Sequence, residues 1–134
     1  MNYILDTNVI TALMKNDIRV KKRLQDVVFH GNEAFISGIT YYEIKRGLLA
    51  VDAKKRLKIF ERLCSILGLL LMDNQEIFDK ASEIYADLSR RGELIEDADI
   101  LIAATALTKN SILVSDDSDF SRVKGITVEN WIRV

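Results

Sequence analysis

The chain has 134 residues, carries a net charge of −1 at pH 7, and is 49% apolar. This length fits one domain, residues 1–134, with a sizeable core. The near-neutral charge does not indicate a strongly basic nucleic-acid binder. One cysteine and one histidine are too few for an internal disulfide, a zinc framework or a histidine-based triad.

The amino terminus runs directly into a predicted strand and shows no secretory signal. The longest apolar stretches, residues 66–72 and 100–107, are shorter than the roughly 20 residues that cross a bilayer. A single cysteine also suits a reducing compartment. The sequence therefore predicts a cytoplasmic protein that does not interact with membranes.

Short apolar runs alternate along the chain with segments of helical periodicity. The predicted strands cover residues 3–5, 34–37, 69–72, 112–114 and 126–128. The predicted helices cover about residues 9–14, 18–29, 40–49, 54–67, 75–91 and 97–107. Asp73 or Asn74 is expected to cap the fifth helix, Gly92 to end it, and Asp97 to cap the sixth. This alternation predicts an α/β fold, with a parallel sheet covered by helices on both faces and joined by right-handed crossovers.

Acidic residues recur where a predicted strand ends or the next helix begins. They are Asp6, Glu43, Asp99, Asp117 and Asp119. Each also has an ordinary structural interpretation. Asp6 suits a helix N-cap, Glu43 completes a capping box that begins at Thr40, and Asp99 suits the positive end of a helix. Asp117 and Asp119 fit a polar loop.

The carboxyl ends of parallel strands meet at one edge of a sheet, so these acids are expected to converge. Converging carboxylates raise one another's pKa values unless a cation is present. Oxygen ligands without His or Cys favour Mg²⁺ or Mn²⁺. Two such ions about 4 Å apart activate water and stabilise the leaving oxygen in phosphodiester hydrolysis. Spacing and topology thus favour a metal site, with unrelated helix caps as the alternative.

Four segments, spread in order over nearly the whole chain, carry a family resemblance. They are Tyr3-Ile4-Leu5-Asp6-Thr7-Asn8; Ile36-Ser37 with Thr40-x-x-Glu43-Ile44-x-x-Gly47; Arg91-Gly92 with Ile95-x-x-x-Asp99-x-x-Ile102-Ala103-Ala104-x-Ala106; and Leu113-Val114-Ser115-x-Asp117-x-Asp119-Phe120 with Gly125-Ile126. Together they resemble PIN-domain ribonucleases, and among these the VapC-type toxins of prokaryotic toxin–antitoxin pairs. The resemblance implies a single-domain, three-layer α/β/α sandwich with a five-stranded parallel sheet.

The resemblance also implies the site and its chemistry. The family's core acids correspond to Asp6, Glu43 and Asp99, and its fourth acidic position to Asp117, with Asp119 as the next choice. Asn8 and Ser115 match polar positions that orient the first acid, although the family commonly has threonine at the second. The extra acids Asp97 and Asp116 leave a choice at the third and fourth positions. The implied reaction is Mg²⁺- or Mn²⁺-dependent endonucleolytic cleavage of RNA by metal-activated water.

Basic residues are expected to flank such a site, because carboxylates repel phosphate. The candidate phosphate contacts stand next to matched segments and are Lys45, Arg46, Arg90 and Arg91. Their alternative interpretation is an ordinary solvated helix face.

VapC-type toxins usually form homodimers and are neutralised by a small antitoxin, which inserts a helical segment, often with an arginine, over the acidic site. The resemblance therefore implies an RNA substrate, a cognate antitoxin and a homodimer. An acidic pocket attracts such an arginine. The apolar residues that fit either a dimer face or the core are Tyr41, Tyr42, Phe60 and residues 69–71.

Other enzyme classes fit less well. A haloacid-dehalogenase-type phosphatase needs a second aspartate two residues after the first, where Asn8 stands. A response-regulator receiver would use Asp73 and a lysine after the fourth strand, and that lysine is missing. Two alternatives stay open: a non-catalytic protein-interaction domain of PIN-like fold, and an RNA-processing PIN nuclease outside toxin–antitoxin systems. No motif encodes the RNA target.

Overall fold

The computed structural model describes residues 1–133. Within this range the chain forms strands β1–β5, α-helices α1–α6 and a 3₁₀ turn. Their bounds in chain order are β1 Asn2–Leu5, α1 Thr7–Met14, α2 Ile18–Phe29, β2 Glu33–Ser37, α3 Gly38–Ala50, α4 Lys54–Ile66, β3 Gly68–Leu70, α5 Gln75–Arg90, α6 Asp97–Thr108, β4 Ile112–Val114, the 3₁₀ turn Ser118–Arg122 and β5 Val128–Glu129.

The strands form one parallel sheet in the order β3-β2-β1-β4-β5. The chain first adds β2 and β3 on one side of β1, and then returns to add β4 and β5 on the other side. The strand order therefore reverses between β1 and β4. Open α/β sheets bind ligands at such a reversal, beyond the carboxyl ends of the strands.

Successive side chains of the central strands enter opposite sides of the sheet, as the strand geometry requires. Ile4 and Leu113 pack into a buried cluster with α5 and α6, whereas Leu5 and Val114 pack into a second cluster with α1, α2 and α4. The sheet is thus covered on both faces. The predicted three-layer α/β/α sandwich with a five-stranded parallel sheet is confirmed.

Helix α6 is enclosed by the fold, as its apolar sequence predicts. Six of its residues are buried, namely Ile100, Ile102, Ala103, Ala104, Thr105 and Ala106. The small alanine side chains allow the backbone of α6 to approach the sheet and α5 closely. This packing fixes the amino-terminal turn of α6, which carries Asp99, at the carboxyl edge of the sheet.

Two predicted helix caps are wrong, and two predicted helix ends are confirmed. Helix α3 begins at Gly38, and its cap is Ser37, whose Oγ accepts a hydrogen bond from the Thr40 amide at 3.3 Å. The capping box from Thr40 to Glu43 therefore does not form. At α6, Glu96 takes the cap position and Asp97 is the first helical residue.

The confirmed ends belong to α5. Asn74 caps its start by accepting from the Glu76 amide at 2.9 Å. Gly92 follows its end with a φ of 66°, a left-handed conformation that glycine adopts without strain. The two edge strands are shifted from their predicted positions: β3 begins one residue earlier, and β5 two residues later.

Gly68 is required by close packing at the start of β3. It pairs with Phe35 of β2, and a Cβ added at Gly68 would lie 2.5 Å from two carbon atoms of the Phe35 ring. We expect Gly68→Ala to lower the free energy of unfolding by about 1–3 kcal/mol, because the ring or the strand must move. Urea unfolding measures the change, and Gly47→Ala is the control, since a Cβ there meets no atom within 4 Å. Equal stability of the two variants would contradict the prediction.

The apolar residues considered for a dimer face divide into two groups. Phe60 is completely buried and packs at 5.5 Å from the ring of Tyr41, so it belongs to the core. Tyr42, Leu69 and Leu71 are exposed and stay available for a partner. Among residues 1–133, no helix has both the length and the apolar character that a membrane crossing requires.

Candidate active site

Asp6 stands at the carboxyl end of the central strand and is only 5% exposed. It occupies the cap position of α1, yet its side chain makes no capping hydrogen bond. Its backbone amide instead donates to the Val114 carbonyl at 2.9 Å, which joins it to the end of β4. Burial raises the pKa of the Asp6 carboxyl, and the hydrogen bond from Ser115 opposes that rise.

Ser115 and Asn8 hold this carboxylate from two sides. The Ser115 hydroxyl donates to Asp6 Oδ2 at 2.7 Å and accepts from the Asp117 amide at 3.0 Å. Asn8 Nδ2 lies 3.4 Å from both Asp6 Oδ2 and Ser115 Oγ, and Asn8 Oδ1 accepts from the Asp116 amide at 3.1 Å. The start of α1 and the loop after β4 are thereby joined around Asp6. This geometry agrees with the orienting roles predicted for Asn8 and Ser115, which stay predictions.

Ser115→Ala is expected to weaken both stability and activity. The free energy of unfolding should fall by about 1–3 kcal/mol, because two buried groups lose their partner. RNA cleavage, the activity that the family resemblance implies, should fall about tenfold, because Ser115 would orient the carboxylate that the resemblance assigns to a metal ion. Urea unfolding and kcat/KM measure the two effects. Ser115→Thr keeps the hydroxyl and should retain most of both, so a threonine variant as impaired as the alanine variant would count against this role.

Asp99 lies across the site from Asp6, in the first turn of α6. Burial raises the pKa of Asp99 to about 7, with further contributions from the negative charges of Asp6, Asp117, Glu96 and Glu43. Carboxylate oxygens of Asp99, Asp117 and Asp119 lie within 4.8 Å of one another. These three carboxylates come from two chain segments, α6 and the loop after β4, and Asp6 at the end of β1 lies outside this group but adds its negative charge to the repulsion.

The loop after β4 supplies two of these carboxylates. Asp117 caps the 3₁₀ turn, and its Oδ1 accepts from the Asp119 amide at 2.8 Å. Asp119 lies 3.5 Å from Arg122, so part of its charge is balanced. Both candidates for the fourth acidic position are therefore close to Asp99, and Asp117 is the one that lines the cavity described next.

An open cavity of about 620 Å³ lies beyond the carboxyl ends of β1 and β4. Its acidic end is formed by Asp6, Glu43, Glu96, Asp99 and Asp117. Its other lining residues include Asn8, Thr11, Met14, Lys15, Ile44, Val51 and Arg56. The cavity has the volume and the mixed lining that are typical of ligand sites.

Asp97 and Asp116, the two acids that stand next to the family's acidic positions in sequence, do not line the acidic cavity. The Asp116 carboxylate accepts from Asn130 Nδ2 at 2.7 Å and pairs with Arg133 Nε at 2.8 Å. Asp97 lies against Phe78, Tyr85 and Leu101 in a different depression of the surface. The geometry therefore favours Asp99 over Asp97 at the third acidic position, and Asp117 over Asp116 at the fourth.

The four basic residues predicted to contact phosphate do not line the cavity. Lys45 Nζ donates to the Tyr41 hydroxyl at 3.0 Å, and Arg46 lies over the Tyr42 ring and 4.0 Å from Glu43 at the cavity rim. Arg91 pairs with Asp87 and Glu93, both at 2.8 Å, and donates to the Arg122 carbonyl at 2.6 Å. Arg90 is exposed at the end of α5. Their role in binding phosphate stays a prediction.

Three charged residues of the cavity were not predicted. Glu96 stands three residues before Asp99 and could have been found by the same argument from strand ends and helix starts. Lys15 and Arg56 come from α1 and α4, far apart in sequence. No local motif marks them, because the packing of α1 against α4 decides that both face one cavity.

Comparison with known proteins identifies the family to which the chain is similar. Residues 3–126 match the family model described as PIN domain. The chain is 37% identical to Ribonuclease VapC1 of Methanocaldococcus jannaschii over 122 residues, which is 90% of this chain and 80% of the relative.

Two solved structures are similar over nearly their full length. VapBC-1 from nontypeable Haemophilus influenzae gives a TM-score of 0.86 at 27% identity and covers 99% of this chain and 100% of the other. VapBC2 from Rickettsia felis, bound to a promoter DNA fragment, gives a TM-score of 0.90 at 23% identity and covers 98% and 99%, which shows the fold. The predicted family is therefore confirmed. The chain belongs to the PIN-domain family and, within it, to the VapC ribonucleases.

Proposed function

We propose that this chain is an endoribonuclease toxin whose activity depends on a divalent cation, and that Asp6, Asp99 and Asp117 hold the cation with Glu43 nearby. The observation that supports this most directly is a charge imbalance. Within residues 1–133, no lysine or arginine lies within 4.0 Å of a carboxylate oxygen of Asp6, Asp99 or Asp117. A cation bound in the cavity would balance these charges.

The donor set fits Mg²⁺ or Mn²⁺. The ligand atoms are carboxylate oxygens from three chain segments, with no histidine or cysteine among the lining residues. Hard, oxygen-preferring cations suit such a set. The pKa of about 7 at Asp99 indicates how strongly the assembled acids favour a neutralising partner, whether a proton or a metal ion.

A bound divalent cation would supply Lewis acidity and generate a nucleophile from water at neutral pH. The residues of the chain would provide the arrangement. Ser115 and Asn8 keep the Asp6 carboxylate fixed, while α6 presents Asp99 from the opposite side. Glu43 reaches the same cavity from α3. The RNA phosphate must enter from the open side of the cavity, because the opposite side is closed by the sheet.

We further propose that a cognate antitoxin covers this cavity and that the chain forms a homodimer. The similarity to VapBC proteins supports the antitoxin. An arginine on the antitoxin would pair with the unbalanced carboxylates. Exposed Tyr42, Leu69 and Leu71 offer apolar area for contact between chains.

The test is cleavage of total cellular RNA by the purified chain, with Mg²⁺, with Mn²⁺ and with a chelator. Discrete fragments that require the cation would support the proposal and identify the substrate. Calorimetry with Mn²⁺ alone provides a second measurement that does not depend on the RNA. A folded chain that neither binds Mn²⁺ nor cleaves RNA would overturn the proposal and favour the protein-interaction domain.

A further inference from the structure

The cavity has a second end whose chemistry differs from that of the acidic end. Lys15, at the carboxyl end of α1, and Arg56, in the first turn of α4, both line it. Along α3 the lining changes from Glu43 through Ile44 and Gly47 to Val51 at the end of the helix, and along α1 it changes from Asp6 at the start to Met14 and Lys15 at the end. The positions along these two helices therefore separate the acidic residues from the basic ones, with Ile44 and Gly47 between them.

Neither cation is engaged in an ion pair within residues 1–133. Lys15 follows Asp6 by nine residues. Because an α-helix rises 1.5 Å per residue, Lys15 lies about 13 Å along α1 from the acidic end. It is too far from the carboxylates to neutralise them, and the same separation leaves it free to meet another anion.

Helix stability does not explain Arg56. The first turn of α4 begins Lys54-Lys55-Arg56 and contains no acidic residue. The positive end of the helix macrodipole disfavours cations there, so these residues reduce the stability of the helix. Of the three, only Arg56 lines the acidic cavity. A cation in an unfavourable position that faces a proposed nuclease site is suited to bind the substrate.

An RNA strand matches this order of groups. Proteins bind single strands by combining cations that contact the backbone with apolar surface for sugars and bases. The distance between the two ends places any phosphate at Lys15 and Arg56 beyond the phosphate at the acids. The part of the strand between these two phosphates would then pass over Ile44 and Gly47.

We propose that Lys15 and Arg56 together bind a backbone phosphate away from the one that is cleaved, and so fix the position of the RNA strand in the cavity. The proposal rests on the proposed nuclease function and adds substrate-binding residues to it. The sequence predicted phosphate contacts at Lys45, Arg46, Arg90 and Arg91, which do not line the cavity. This proposal assigns a phosphate contact to two cations that do line it.

Two measurements on Lys15→Ala and Arg56→Ala test this. The first is binding of a fluorescein-labelled single-stranded RNA in EDTA, where cleavage is blocked, followed by anisotropy. Each variant should raise Kd about tenfold, which corresponds to the removal of one charge-assisted hydrogen bond. The slope of log K against log salt should also become shallower by about 0.7 for each phosphate that the variant no longer binds.

The second measurement is cleavage in Mn²⁺. Each variant should raise KM about tenfold and leave kcat within a factor of about two, because the two cations bind outside the reacting phosphate. The matched controls are Lys55→Ala on α4 and Lys21→Ala on α2, which remove exposed cations that do not line the cavity. Both should behave as the unmodified chain.

The outcomes separate this inference from the proposed function. Variants that bind RNA as tightly as the Lys55 and Lys21 controls would overturn the inference, whether or not the chain cleaves RNA. An unmodified chain that binds RNA through Lys15 and Arg56 but cleaves none with Mn²⁺ would uphold the inference and reject the nuclease. No RNA binding by the unmodified chain would reject the inference.

Discussion

Asp6→Asn is expected to reduce RNA cleavage about a thousandfold and to abolish Mn²⁺ binding. Loss of one proposed metal ligand would remove several kcal/mol of charge stabilisation at the reacting phosphate, and each 1.36 kcal/mol corresponds to a tenfold change in rate. Single-turnover cleavage and Mn²⁺ calorimetry measure the two effects. The chain should stay folded, because an asparagine keeps the shape of the side chain and still accepts the hydrogen bond from Ser115.

The matched control for this variant is Asp116→Asn. Asp116 belongs to the same loop as Asp117, but its carboxylate pairs with Asn130 and Arg133 and does not line the cavity. Asp116→Asn removes one negative charge from the same region and should leave the rate of cleavage within a few fold of that of the unmodified chain. Equal losses in the two variants would mean that net charge, and not the position of Asp6, decides the activity.

Asp99→Asn is expected to abolish cleavage as well, while making the metal-free protein more stable above pH 7. The folded chain raises the pKa of Asp99 from 3.8 to about 7, so it binds this proton more tightly than the unfolded chain does. Linkage then lowers the stability of the folded state as the pH rises from about 4 to 7, and the loss is complete above that range. An asparagine side chain does not ionise in this pH range, so Asp99→Asn does not lose stability in this way.

Thermal unfolding of Asp99→Asn and of the unmodified chain in EDTA, measured from pH 4 to 8, tests the direction of this pH dependence. The difference in Tm between Asp99→Asn and the unmodified chain should be small at pH 4, grow through pH 7 and then level off. Taking the difference removes the contribution of other groups, such as Asp87, whose pKa is lowered by Arg91. Added Mn²⁺ should raise the Tm of the unmodified chain alone. A difference in Tm that does not vary with pH would contradict the raised pKa of Asp99, which burial and the neighbouring acids produce.

Much of this fold follows from local sequence patterns. The central strands β1 and β4 contain the apolar runs Tyr3–Leu5 and Ile112–Val114, and burial of Ile4, Leu5 and all of β4 explains why both strands were predicted within one residue. The edge strands β3 and β5 were predicted less well. The ends of an edge strand depend on pairing with one neighbour only. Residues 69–72 are all apolar, yet β3 ends at Leu70, where its partner β2 ends at Ser37.

The starts of α3 and α6 show a second limit to what can be predicted from sequence. Thr40 and Asp97 are good capping residues, yet the chain enters α3 and α6 earlier, and Ser37 and Glu96 take the cap positions. Ser37 ends β2 and is buried, so the junction between strand and helix is set by packing. Local propensity identifies that a helix begins nearby but does not select among adjacent candidates.

The acidic and basic parts of the site differ in how far sequence reveals them. Acids at strand ends are predictable, because parallel topology brings those ends to one edge. Cations on helices are not, because their side chains are long and the packing of each helix decides which neighbour they meet. Lys15 and Arg56 show this, because they reach one cavity from α1 and α4. Lys45 and Arg91 instead contact Tyr41 and Asp87 four residues earlier, which the helical spacing alone could have indicated.

The pairing of β1 with β4 also has a consequence for biosynthesis. The hydrogen bond from Ser115 to Asp6 joins residues 109 positions apart, and β1 has no β4 neighbour until that part of the chain exists. A nascent chain on the ribosome therefore cannot form this hydrogen bond until Ser115 has been translated. We expect a translation product that ends before β4 to carry Asp6 without the strand and the hydroxyl that hold it, and therefore to lack cleavage activity.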